Sequence, residues 1–244
     1  MYFGQNGDLG NAGLPVSRRE RPVYRGDFKV TLGRRFPRTE GDTCGGAGGM
    51  SGTASKGSLG IILQEFSKIM QGEEWELVDV GAGSGVVVAM SFTYGASLAV
   101  GVELKDEGQA AIFALSLQKL AKFGVQSARA HIQYGVDIST CTRLPTLQTP
   151  PRPMHKAVFA FCDGFAEKDR AHMFALIGGD ALVRVFMCSC GRGKDDLYRQ
   201  PVSVLNALNA SVASGTVFAQ THPITVSMCG SHSQKTIHVF VRQT

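Results

Sequence analysis

The run Val78-Asp79-Val80-Gly81-Ala82-Gly83-Ser84-Gly85 places three glycines at alternate positions directly behind an apolar stretch, Trp75–Val80. Glycines at such a junction let the backbone take positive φ and approach a ligand closely. A helix opening just after them presents free N–H groups to the bound molecule. Glu103 follows 22 residues after Gly81, at the end of the next apolar run, Leu98–Glu103. If the two runs are neighbouring parallel strands, this carboxylate stands beside the glycine turn and can accept both hydroxyls of a ribose. The chemistry indicated is the binding of a nucleotide-like molecule. The spacing is G-x-G-x-G, not the dinucleotide G-x-G-x-x-G, and the chain has no G-x-x-x-x-G-K-[ST] phosphate loop. Asp79 would repel a pyrophosphate but could organise a cationic amino acid moiety.

These residues need elements to hold them. Ile61, Ile62, Phe66, Ile69 and Met70 form a helical stripe in a segment starting at Lys56 or Ser58 and ending near Gln71. A buried strand over Trp75–Val80, a tight turn at Gly81–Gly85, a buried helix from Val86 to about Thr93 and a strand over Leu98–Glu103 follow. Asp106–Phe123 reads as an amphipathic helix with Ala110, Phe113, Leu117 and Leu120 on one face and Gly124 as its stop. Ala130–Ile132 begins a third strand that ends near Asp137. Residues 142–154 hold Pro145, Pro150, Pro151 and Pro153 and must be a loop. Ala157–Phe161 is a fourth strand, Glu167–Ile177 a helix, Ala181–Cys188 a fifth strand, Gly191–Asp196 a polar loop and Val202–Val212 a helix. The last 30 residues read as a hairpin, TVFAQTHPITVSM and KTIHVFVRQ around GSHSQ. Alternation of this kind predicts an α/β fold: a doubly wound, mostly parallel sheet of seven strands, covered by helices on both faces and closed by a terminal antiparallel hairpin.

Composition sets bounds on this reading. The 244 residues are 43% hydrophobic and 18% charged, which excludes a largely disordered chain and suffices for a core without disulfides or metal. Six cysteines are too sparse for a disulfide scaffold, and the opening MYFGQNGDLGNAG has no signal-peptide pattern, so a reducing intracellular setting is expected. The 23 residues Val80–Val102 carry no charge, but five glycines punctuate them, which speaks for strand and turn rather than a membrane span. Residues 1–40 contain eight Lys or Arg against four acids, whereas the other 204 residues carry 17 bases and 16 acids. The net charge of +5 is therefore a property of the N-terminus. Arginine suits bidentate phosphate contact, so the segment reads either as a basic arm for nucleic acid or as a solvated lead-in. With the Gly-, Ser- and Thr-rich link at 41–57, it divides the chain into an arm and linker at 1–52 and a folded domain at 53–244. No metal site is expected: Cys188 and Cys190 form C-x-C and Cys229 lies in the hairpin, but a fourth ligand is missing. The histidines form no triad order.

The pattern D-V-G-A-G-S-G followed by G-V-E at the second strand resembles that of S-adenosylmethionine-dependent methyltransferases of the seven-stranded class, which also end their sheet in an antiparallel hairpin. The resemblance implies S-adenosylmethionine as cofactor. It places Gly81, Ala82 and Gly83 under the methionine and ribose portions, and Asp137 near the adenine amino group. Asp79, Gly85, Glu103, Leu104, Ile138 and Cys162 complete the implied cofactor set. The Phe161-Cys162-Asp163-Gly164-Phe165 run falls where the class faces its methyl acceptor, which makes Asp163 and Phe165 the candidate catalytic residues.

Within the class, residues 53–244 are similar to the non-SET histone-lysine methyltransferases of the disruptor-of-telomeric-silencing type. A helix enters the glycine strand directly (SLGIILQEFSKIM before WELVDVGAGSG), Val100-Gly101-Val102-Glu103 matches the family's G-V-E, and a long helix follows. Two elements differ: Ser55-Lys56-Gly57-Ser58 stands in place of the family's Tyr-Gly-Glu loop, and Cys162-Asp163-Gly164-Phe165 in place of Asn-Asn-Phe. The resemblance implies methyl transfer to a lysine amine of a nucleosomal core histone by a single in-line displacement. It further implies a nuclear location and DNA contact through the arginine-rich arm, with the nucleosome as partner and no membrane. Methylation of RNA, another protein or a small molecule remains an alternative, as does a non-catalytic binding protein with the same fold.

Overall fold

A computed structural model describes residues 54–105, 108–148, 153–191, 195–212, 215–228 and 234–243. The arginine-rich arm and Cys229 lie outside the described residues. β1 (Trp75–Val80) and β2 (Leu98–Glu103) have the bounds expected from their apolar runs and pair in parallel, Val80 opposite Val102. Every residue of β1 is buried, as befits a central strand covered on both faces. β3 (Ala130–Tyr134) flanks β2, β4 (His155–Ala160) flanks β1 on the other side, and β5 (Val183–Ser189) flanks β4, all parallel. The edge is antiparallel: β6 (Val217–Gln220), β7 (Ile224–Ser227) and β8 (Gln234–Gln243). The strand order is β3-β2-β1-β4-β5-β8-β6, with β7 also paired to β8.

The first arm of the expected hairpin is two strands rather than one. Gln220 pairs with Phe240 and Ile224 with Ile237, so this side carries one extra residue over the same length of β8. Pro223 has no N–H for the ladder, and the bulge at 221–223 absorbs it. β6 and β7 therefore occupy successive lengths of one edge position. Eight strands fill the seven positions that the sequence predicts.

One face of the sheet is covered by α1 (Lys56–Ile69), α2 (Val86–Ser91) and α3 (Gln109–Ala121). Leu59, Ile62, Leu63 and Phe66 of α1 and Phe113 and Leu120 of α3 meet Trp75, Leu77, Phe159 and Met187 there. The other face carries α4 (Glu167–Gly179) and α5 (Pro201–Ala210), with Phe174, Ile177, Val204 and Leu208 packed on Val158, Val183 and Phe186. α3 starts at Gln109, with Gly108 left-handed at its N-cap, and the expected start at Asp106 lies outside the described residues. α2 stops at Ser91 and tightens into a 3-10 turn, Phe92–Tyr94. β3 ends at Tyr134, three residues before Asp137, and β5 begins at Val183 because Asp180 closes a turn with the Leu182 and Val183 amides.

No α-helix lies between β3 and β4 among the described residues. The proline-rich loop instead lies on the sheet, anchored by a buried carboxylate of β1. Glu76 is fully buried and accepts from Thr146 Oγ1 at 2.6 Å, Leu147 N at 2.5 Å and Gln148 Nε2 at 2.9 Å. Gln148 then bonds both the N–H and the carbonyl of Met154, closing the loop on itself. A buried carboxylate is tolerable only with such donors around it.

Candidate functional site

The strand order reverses between β1 and β4, so the crevice at their carboxyl ends is the topological switch point where open α/β sheets bind ligands. The glycine turn opens on one side of it and the 3-10 turn Cys162–Gly164 on the other. Gly81, Gly83 and Gly85 have φ of +80°, +52° and +75°, a region that favours glycine. Their surroundings differ. A Cβ on Gly85 would strike the Phe113 ring and Ile132, so this glycine lets α2 pack against α3 and β3. A Cβ on Gly81 would lie 3.1 Å from Phe165 Cζ, so the Phe165 ring sits against the turn from across the crevice. A Cβ on Gly83 would meet nothing within 4 Å, which leaves room on that side of the backbone for another molecule.

Glu103 stands where the parallel register predicts. Its Oε2 accepts the Gly83 N–H at 2.8 Å, and Oε1 accepts from Lys105 N at 3.4 Å. A carboxylate has about four acceptor positions, so capacity for hydroxyl donors remains. Tyr134, opposite Glu103 on β3, donates its hydroxyl to the Gly83 carbonyl at 3.1 Å. Sequence reasoning missed Tyr134, although it lies before Asp137 on the expected third strand and level with Glu103 once β2 and β3 pair. Asp79 is 3% exposed, and its side chain forms no hydrogen bond or ion pair among the described residues. Burial, with the Glu103 charge adding to it, pushes its carboxyl up to about 8. At neutral pH burial therefore favours the protonated form of Asp79.

The remaining cofactor candidates are spread along the rim. Leu104 is 46% exposed just beyond Glu103. The Val136 N–H donates to the Glu103 carbonyl at 3.1 Å, which sets Asp137 next along that edge. Asp137 caps the turn Ile138–Thr140 by accepting from Ser139 N at 2.8 Å, and this bond holds its carboxyl below the usual range. Ile138, Ala82 and Cys162 are buried: Ile138 and Cys162 belong to the core beside α4, and Ala82 fills the space left by Gly101. Only their backbone groups remain to face a ligand.

Across the crevice, Asp163 is not a free carboxylate. Its Oδ2 accepts from Ser189 Oγ at 3.1 Å and forms an ion pair with Lys235 of β8. The Cys162 N–H donates to Ser189 Oγ at 3.0 Å. The Phe161 ring packs edge-on against Phe159 with centroids 5.0 Å apart. Burial pushes the Cys190 thiol up to about 12 and raises that of Cys188 as well, which favours the thiol over the nucleophilic thiolate at both. Ser55 and Ser58, in place of a donor loop, cap α1 and tie it to β7: Ser55 Oγ accepts from Ser58 N at 3.3 Å, and Ser58 Oγ from Ser227 N at 2.8 Å. Among the described residues no group of three or more His, Cys, Asp or Glu could hold a metal ion, and no helix is long and apolar enough to cross a membrane.

No protein-family model matches the chain, and no curated protein matches its sequence. Its fold matches solved structures. A protein of Pyrococcus horikoshii provisionally assigned as an RNA methyltransferase superposes with a TM-score of 0.55 at 13% identity, over 90% of this chain and 96% of that one. A SAM-dependent methyltransferase of Leishmania major gives 0.51 at 10% identity, over 90% and 83%. The magnesium protoporphyrin IX methyltransferase of Synechocystis with bound SAH gives 0.50 at 14%, over 91% and 100%. The chain therefore has the class I methyltransferase fold, as the glycine turn, Glu103 and terminal hairpin implied.

Proposed function

We propose that this protein is an S-adenosylmethionine-dependent methyltransferase whose acceptor is a lysine amine of a nucleosomal core histone. The observation that carries the donor half is Glu103 bonded to the Gly83 N–H in a turn that has open space at Gly83. When bound, S-adenosylmethionine supplies an electrophilic methyl on a sulfonium sulfur. Glu103 would hold the ribose, Asp79 the cationic amino acid end, and Leu104 and Asp137 the adenine. The known structures with this fold include one with bound SAH, which supports that choice of ligand.

The acceptor half rests on the wall across the crevice. A lysine amine is protonated at neutral pH, with an ordinary pKa of about 10.4, and must lose its proton to become a nucleophile. An apolar wall disfavours the ammonium, whereas a free carboxylate would retain it. Phe161 and Phe165 supply apolar surface, and Lys235 neutralises the Asp163 carboxylate beside them. Alignment of the amine on the methyl at about 3 Å can supply several kcal/mol of the barrier. The histone assignment and nuclear location follow the sequence resemblance, and the arginine-rich segment at 1–40 suits DNA phosphates around a nucleosomal lysine. Methylation of RNA is the second reading, favoured by the same aromatic side chains, on which a base can stack. Labelled methyl transfer onto nucleosomes, free histones and total RNA tests the assignment. Label on nucleosomal histone is expected; label on RNA alone would replace the lysine reading.

A further inference from the structure

Lys235 and Asp163 are 72 residues apart, yet their side chains are 8% and 4% exposed and paired. The last β5–β8 pair is Ser189 with Ile237, so Lys235 lies two residues past it on the part of β8 that overhangs the end of β5. Strand alternation puts it on the same face as Ile237, the face of the crevice side chains Glu103 and Tyr134. From there its Nζ reaches Asp163 and lies 5.9 Å from the centre of the Phe161 ring. Ser189 completes the junction, donating to Asp163 and accepting from the Cys162 N–H. The ends of β4, β5 and β8 are thus joined at one carboxylate.

A buried ion pair is a weak source of net stability. Taking two charges out of water costs several kcal/mol each, and apolar replacements of such pairs are often neutral or stabilising. What an ion pair adds is direction. Two residues beyond Asp163, Phe165 lays its ring against Gly81, 3.1 Å from the position of a Cβ there. The short turn Cys162–Gly164 connects the two contacts.

We propose that Lys235 is a positioning residue: acting through Asp163, it holds the Cys162–Phe165 turn against the glycine turn, so that the terminal strand sets the shape of the donor pocket beside the reacting methyl. The inference rests on reading the crevice as a donor site. It assigns Lys235 no contact with the donor.

The test is calorimetry of the full chain with S-adenosylmethionine at a temperature where each variant is folded. Three variants are compared with wild type. Lys235→Met removes the pair. Lys235→Met with Asp163→Asn also removes the stranded charge. Val226→Ala weakens the same strand pair, since Val226 lies opposite Lys235, while leaving the charged and hydroxyl groups of Lys235, Asp163 and Ser189 in place. Both Lys235 variants are expected to bind the donor about tenfold more weakly, the scale of one lost charge-assisted bond. The double variant should recover thermal stability without recovering affinity. Val226→Ala should lose stability and keep affinity. Wild-type affinity in the double variant, or an equal loss in Val226→Ala, overturns the inference. If Lys235→Met alone does not fold, the double variant and Ser189→Ala decide, the latter expected to weaken binding by about threefold. A wild-type chain that binds no donor overturns the donor reading itself, and the inference with it.

Discussion

Replacing Asp79 with asparagine should make the protein more stable and worse at binding its donor. In the folded chain burial and Glu103 hold the Asp79 carboxyl at about 8, against an ordinary 3.8. Below pH 4 the group is protonated whether the chain is folded or not, and burial carries no ionic penalty. Between pH 4 and 8 the unfolded chain loses this proton and the folded chain keeps it, so stability falls as pH rises, by about 1.4 kcal/mol per unit. Above pH 8 the penalty is complete and constant. The carboxamide of the variant does not titrate. The stability advantage of Asp79→Asn over wild type should therefore grow by about 4 kcal/mol between pH 5 and pH 8. Urea unfolding of both proteins at pH 5, 6, 7 and 8 measures the difference directly. In the same variant donor affinity at pH 8 should drop by about 1.5–3 kcal/mol, the worth of hydrogen bonds to a charged group. Parallel stability curves across this range would refute the claim that Asp79 is buried neutral, and an unchanged affinity would refute its role toward the cationic end of the donor.

Other perturbations separate the parts of the site. Glu103→Ala removes the ribose acceptor and the partner of the Gly83 N–H; calorimetry should show donor binding weakened by about 1.5–3 kcal/mol. Gly85→Ala forces a Cβ into Phe113 and Ile132 at positive φ, and should lower the unfolding free energy by more than about 3 kcal/mol. Gly83→Ala meets no neighbour, so its stability loss should be only about 1 kcal/mol while donor affinity falls much further, because the methyl enters the open space of the crevice. Glu76→Ala strands three donors of the proline-rich loop and should cost a few kcal/mol, with faster amide exchange or proteolysis confined first to residues 144–148. Wild-type protection of that segment in the variant would count against Glu76 as its anchor.

Much of this architecture is legible in the chain because its signals are local. WELVDV and LAVGVE are short, mostly apolar stretches that run out at a glycine turn and at an acid, and both became strands with the expected ends. Once they are neighbours, the spacing of Gly81 and Glu103 follows from the register. The hidden features depend on partners distant in sequence. Lys235 reads as an ordinary polar residue of a hairpin, and nothing near it reveals the carboxylate it meets at Asp163. Glu76 reads as an interruption in an apolar strand, and its donors arrive from 70 to 72 residues later. The division of the edge into β6 and β7 turns on Pro223, whose effect as a bulge depends on the strand it must pair with. Conversely, Ile138 and Cys162 lie just beyond the ends of β3 and β4, but the face that each side chain takes is set by packing beside α4.

Calorimetric titration of the wild-type chain with S-adenosylmethionine, beside NAD and ATP, is the most direct test of the central claim. Saturable one-to-one binding of the methyl donor, weakened in Glu103→Ala, is expected, with none of comparable strength for the two phosphate-bearing ligands. Tight binding of NAD or ATP with no binding of the donor would contradict it.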